Sequence, residues 1–258
     1  MPAPLLTASS RNSSKFQVPS LKFRTDLEPE TALRILHERV IACRRCARLV
    51  EYRERVARQK RLAFRNEEYW GRPLPSFGDP RARLLILGLA PAAHGGNRTG
   101  RMFTGDRSGD FLFSALHRAG FANQPISAGR DDGLALRDAY VTAAVRCCPP
   151  ANKPAPGEQA NCRPYLECEL ELLTGVKAVV ALGKFAFDAY LGVLKRQWKL
   201  PPRVSYKFGH GACYRLPPPL PALLASYHPS QQNTFTGRLT PRMLDAVFRK
   251  ARRLIGRR

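Results

Sequence analysis

The sequence predicts an α/β protein. Four short apolar runs, LLILGL (84–89), AYVTAAV (139–145), VKAVVALG (176–183) and LPALLASY (220–227), have strand length and no polar alternation. Strands buried on both faces of a sheet look like this. Segments with helical spacing lie between them, as crossovers between parallel strands require. The first run also ends in a loop of small residues that leads into a helix. That order builds a site at the carboxyl edge of a parallel sheet.

Taken in order, residues 1–24 are rich in Ser, Pro and Arg and read as a disordered basic arm. Residues 25–258 read as one domain with an N-terminal helical extension. Asp26 or Thr31 can cap a first helix that runs through LRILHERV to a cysteine pair. A second, basic helix follows in ARLVEYRERVARQKR (47–61). YWGRPLPSFGDP (69–80) is broken by prolines and glycines and reads as loop. FLFSALHRAGF (111–121) continues a helix from Gly109, ending at a glycine. SAGRDDGL (127–134) is a turn-rich insertion. Residues 158–173 are helical by composition, KFAFDAYLGVL (184–194) is a third crossover helix, and PRMLDAVFRKARRLIG (241–256) closes the chain. No internal repeat is present.

The chain carries 43 Lys and Arg against 20 Asp and Glu, a net charge of +23. An excess of this size points to a polyanion, nucleic acid before anionic membrane, with salt-sensitive binding. No apolar run spans a bilayer. The first residues also lack the basic and apolar segments of a secretory signal, so a cytoplasmic setting is expected. In that setting seven cysteines argue for metal or cluster ligation over disulfides.

Cys43 and Cys46 form a C-x2-C pair, and Cys147 and Cys162 follow with 14 residues between them. Four thiolates can hold an iron–sulfur cluster or a structural zinc. Cys148 competes with Cys147 for the third place, and spacing alone leaves cluster and zinc open. The lack of a second C-x2-C or of a histidine near the pair leans toward a cluster. Cys168 and Cys213 read as ordinary buried thiols.

Three motifs occur in order with these cysteines interleaved: GLAPAAHGGNRTGRMFTGDRSG, VTAAVRCCPPANKPAPGEQANCRPYL and HPSQQNTFTG. Together they resemble the uracil-DNA glycosylase superfamily, specifically its iron–sulfur type b branch (family 5), from about Cys43 to Thr240. The resemblance implies a three-layer α/β/α sandwich around a four-stranded parallel sheet. It implies a [4Fe–4S] cluster on Cys43, Cys46, Cys147 and Cys162, with Cys147 preferred because RCCPP aligns with a Lys-Cys-Arg-Pro-Pro run of type a enzymes. It also implies a monomer acting on double-stranded DNA with a flipped-out base. The reaction is hydrolysis of the bond between sugar and deaminated base, uracil first and also hypoxanthine and xanthine. No lysine is placed for lyase chemistry.

By the same resemblance, Phe103 stacks on the base, and Gly88, Ala90, Pro91 and Ala92 line the pocket. His228 donates to the departing base oxygen, as a neutral imidazole can. The carboxylate of better-known members is missing here, where Leu89 and Ala90 stand. His94, Asn97 and Asp106 are the polar candidates to orient water, Asn97 first. Type a enzymes read uracil with an Asn near the place of Ala143. Asn152 is a substitute reader, and a loose pocket follows from that exchange. Arg98, Arg101, Arg107 and Arg238 are expected on phosphates. Ser230 and Asn233 belong to the loop that meets the minor groove, although either also suits a helix cap. Two other readings stay open: a catalytically silent DNA-binding protein on the same scaffold, and a zinc-stabilised hydrolase of free nucleotides.

Overall fold

The computed structural model describes residues 27–198, 200 and 206–256. The expected basic arm, residues 1–24, lies outside them.

Four parallel strands form the centre: β2 (Leu84–Gly88), β3 (Ala139–Ala143), β4 (Ala178–Leu182) and β6 (Ala222–Ser226). The sheet is larger than the four strands expected. Two-residue edge strands, β1 (Phe77–Gly78) and β5 (Cys213–Tyr214), extend it antiparallel in the order β1-β3-β2-β4-β6-β5. β1 falls inside the stretch read as loop, and two residues are too few to show a period in sequence.

Alternation along β2 divides the core. Leu84 and Ile86 pack with α4 (Arg107–Arg118) and α8 (Pro241–Ile255), whereas Leu85 and Leu87 face α5 (Pro156–Leu172) and α6 (Lys184–Trp198). This is the three-layer sandwich. Helices α1 (Pro29–Ile41) and α2 (Ala47–Gln59) form the N-terminal extension, α1 lying against α5. α1 starts at Pro29, with Glu28 at the cap position and no side-chain cap bond, so Thr31 lies inside the helix and does not cap it, while Asp26 lies outside the described residues. Proline in the first turn needs no N–H partner and presets φ.

β2 pairs with β3 on one side and β4 on the other, and the chain leaves β2 and β4 in opposite directions. Such a switch point opens a crevice at the carboxyl ends of the strands. Just beyond β3, Arg146 and Glu169 form a buried ion pair, with Ser76 and Thr142 bonded to the same carboxylate. Removing one partner strands the other charge in the interior. Glu169→Ala is therefore expected to lower unfolding free energy by about 3–5 kcal/mol, read by chemical denaturation.

Candidate active site and cysteine site

Phe103 and His228 meet at the switch point. Their ring centroids lie 5.9 Å apart with planes at 31°. Phe103 has φ of 52°, a left-handed conformation that a bulky residue adopts only under constraint from its surroundings. Gly88 ends β2 directly beneath: a Cβ there would stand 2.6 Å from Phe103 Cζ. Glycine at position 88 is what lets the ring reach the strand. Gly88→Ala is expected to displace the ring and cost up to about 10²-fold in base release, with folding intact by circular dichroism.

His228 follows β6, and Asn233 Nδ2 holds its carbonyl at 2.8 Å. Burial pushes its imidazole down to about 4, so the ring is neutral at neutral pH. Ser230 Oγ caps α7 (Gln231–Phe235) by accepting from Asn233 N at 3.4 Å. Ser230 thus takes the capping alternative read from sequence, whereas Asn233 lies inside α7 and spends its side-chain amide on the His228 carbonyl.

The strand-to-helix loop after β2 sorts its residues to different sides. Ala92, Ala93 and His94 line an open cleft together with Asp106, Arg107, Asp110, Asn152 and Gln231. Ala90 packs instead on the side of Leu49 and Cys147, and Pro91 is buried. Asn152 also lines the cleft and is exposed, with φ of 56° next to Ala151 at 52°. Two successive left-handed residues without glycine mark a turn held by its surroundings. Ala143, in register with Gly88, offers no polar group at the base.

The structure corrects the expectation that Asn97 orients water, since Asn97 does not line the cleft. It is fully buried in α3 (Gly96–Thr99), and its Nδ2 donates to the Arg53 carbonyl at 3.2 Å. Of the polar candidates in this loop, His94 and Asp106 do line the cleft, and Asp106 carries the carboxylate. Its Oδ1 caps α4 by accepting from Gly109 N at 3.0 Å, and its Oδ2 lies against Gly95, where a Cβ would collide with it. Burial pushes its carboxyl up, with the Gly109 and Ser108 amides opposing. His94 Nδ1 is hydrogen-bonded with Tyr69 Oη at 3.0 Å, and burial lowers its pKa, with Arg61 and Arg98 adding to the effect.

Two of the four expected phosphate contacts are also corrected. Arg98 is buried, paired with Glu67, donating to the carbonyls of His94 and Gly105 at 2.8 Å each. Arg101 is buried against Asp132, at 2.6 Å, and Ser127. Burial opposes the Asp132 charge, yet Arg101 and three backbone amides hold its carboxyl well below the usual range. Both arginines brace the loop from inside and present no free guanidinium to a phosphate. Arg107 and Arg238 are exposed, over the rings of Phe235 and Tyr227.

On the far side of this loop, Cys43, Cys46, Cys147 and Cys162 line one cavity walled by Leu49, Val50, Val145 and Tyr165. Cys148, the rival third ligand, is buried but does not line it. Three sulfurs accept N–H groups: Cys147 from Arg53 Nη1 at 3.1 Å, Cys162 from Arg146 N at 3.2 Å, and Cys46 from Asn161 Nδ2 at 3.5 Å. Among the described residues, no three His, Cys, Asp or Glu side chains converge closely enough to hold a single metal ion. Arg53 was not singled out in sequence, since one arginine in a basic helix looks like a solvated one.

Residues 75–252 match the family model "Uracil DNA glycosylase superfamily". The chain belongs to that superfamily. A "Type-5 uracil-DNA glycosylase" of Mycobacterium bovis is 53% identical over 222 residues, 86% of this chain and 81% of the relative. A protein of the same description from Thermus thermophilus is 53% identical over 218 residues, 83% of this chain and 94% of that one. A third, from Pyrobaculum aerophilum, is 46% identical over 213 residues, 83% and 89% respectively. "Type-4" relatives are more distant, as in 27% identity over 203 residues of a second Pyrobaculum aerophilum protein. No described helix of this superfamily member is long and apolar enough to cross a membrane.

Proposed function

We propose that this protein excises uracil from double-stranded DNA in base-excision repair, hydrolysing the N-glycosidic bond and leaving an abasic site. The observation that carries the reading is the pairing of Phe103 with a neutral His228 at the switch point, in a relative of type-5 uracil-DNA glycosylases. A glycosylase must hold an extruded base and stabilise opposite charges on base and sugar. Phe103 supplies a ring for the base face. His228 donates an N–H to the base oxygen as negative charge grows there, without proton transfer. Asp106 takes the place of the missing first-motif acid: its carboxylate lines the cleft and orients water toward the sugar, where positive charge develops. Arg107 and Arg238 hold phosphates, and Asn152 contacts the base edge. The nonpolar Ala143 discriminates weakly, so hypoxanthine and xanthine are secondary substrates. The enzyme works as a monomer on DNA in the cytoplasm, without strand cleavage.

The cysteine site fits a [4Fe–4S] cluster. Each thiolate of a cluster binds a different iron, so the sulfurs need not converge on a point. The N–H groups aimed at Cys46, Cys147 and Cys162 match sulfurs that carry charge. Cys43, Cys46, Cys147 and Cys162 would hold the group. When bound, it supplies a cross-link that ties the junction of α1 and α2 to the segment after β3.

The test is incubation with duplexes carrying one uracil, hypoxanthine or xanthine, then alkali. Breakage at the modified base only after alkali is expected, strongest for uracil. Intact strands despite DNA binding would favour a silent scaffold.

A further inference from the structure

Helix α2 contains a buried cation that the pocket chemistry does not use. Arg53 is 2% exposed. Its Nη1 donates to Cys147 Sγ at 3.1 Å, and Nη1 and Nη2 reach the Cys43 carbonyl at 3.3 and 3.4 Å. Its Nε has no partner. Among the described residues, the carboxylate within ion-pair range is Glu54, 3.9 Å from Nη2 and already held by Arg44 at 2.5 Å. A buried guanidinium without a matched anion is strongly unfavourable. The groups it does face are the sulfurs of the cysteine cavity, which Arg53 lines. Neutral thiols leave that charge unmet, whereas thiolates on a cluster meet it.

The same residue reaches the base pocket through its main chain. The Arg53 carbonyl accepts from Asn97 Nδ2 at 3.2 Å. Asn97 lies in the pocket loop: its amide donates to the Ala92 carbonyl at 3.0 Å, and its own carbonyl accepts from Gly71 N at 3.1 Å. Ala92 lines the cleft. A chain of hydrogen bonds therefore runs from Cys147 through Arg53 and Asn97 to the cleft wall.

We propose that Arg53 is a positioning residue that joins the two sites, its guanidinium balancing and holding Cys147 while its carbonyl anchors the pocket loop through Asn97. This role rests on the cluster reading. Outer contacts to metal ligands typically set metal retention by about 10–100-fold. Loss of the charge also loosens α2, and with it the carbonyl that holds Asn97.

Arg53→Met keeps the length and apolar packing but removes charge and donors; Arg53→Lys restores the charge. Visible absorbance followed under a ferrous chelator gives the rate of cluster loss. Hydrogen exchange at residues 95–100 reports on the pocket loop. The expected result is cluster loss roughly 10–100-fold faster in Arg53→Met, faster exchange in the loop, and recovery of both toward wild type in Arg53→Lys. If Arg53→Met does not fold, the neutral Arg53→Gln replaces it in the same comparison. Wild-type chelator resistance and exchange in the neutral variant would overturn the role, as would a lysine variant no better than the neutral one. Wild-type protein purified without iron and sulfide would instead overturn the cluster reading, and this role with it.

Discussion

Replacing His228 with alanine should slow single-turnover release of uracil by about 10²–10³-fold, the usual cost of removing one donor to a developing anion. Binding to abasic duplex should change little, because the proposed phosphate contacts, Arg107 and Arg238, are separate exposed side chains that the substitution leaves in place. Equal turnover in the variant would remove His228 from the mechanism. The imidazole sits in a site that favours its neutral form, with a pKa near 4 against 6.5 for the free side chain. Folding therefore becomes less favourable as pH falls from about 6.5 toward 4, since the unfolded chain binds the proton first. That part of the acid sensitivity should be missing from His228→Ala.

Asp106→Asn is expected to lower base release by about 10²–10⁴-fold, the range for a positioned acid–base group. Asparagine caps helices as well as aspartate does, so α4 should remain intact and the variant folded. The loss then belongs to the carboxylate's charge and proton affinity, separable from its hydrogen bond to Gly109. An accompanying Asn97→Asp should not rescue it, because position 97 points into the protein toward Arg53. Rescue by Asn97→Asp would restore the assignment first read from the loop.

The four parallel strands were legible because each is a mostly apolar run without polar alternation, and burial on both faces leaves that mark. The edge strands at Phe77 and Cys213 left none, being two residues long. Phe103 and His228, which the structure brings together, were singled out by their motifs; the four cysteines that line one cavity were singled out by the family resemblance, since spacing alone left Cys148 in competition with Cys147. Orientation was not legible. Asn97 and Asp106 share one loop, and nothing in their order reveals that one side chain turns inward and the other lines the cleft. Arg98 and Arg101 looked like phosphate ligands because cationic residues beside a DNA-binding motif usually are. Their partners, Glu67 and Asp132, lie about thirty residues away on either side. Long-range ion pairs of that kind leave no local signal in composition or period. Arg53 illustrates the same limit in reverse, a functional candidate hidden among exposed arginines of an amphipathic helix.

In the proposed mechanism a neutral imidazole and a raised carboxylate share the work of breaking the glycosidic bond. The pH dependence of single-turnover uracil release separates their parts. A rise with pH is predicted, with a midpoint above the ordinary aspartate value, absent in Asp106→Asn, followed by a plateau through pH 6–7.5, where an ordinary histidine titrates. A rate that instead falls through about pH 6.5, as a protonated histidine loses its proton, would contradict the account.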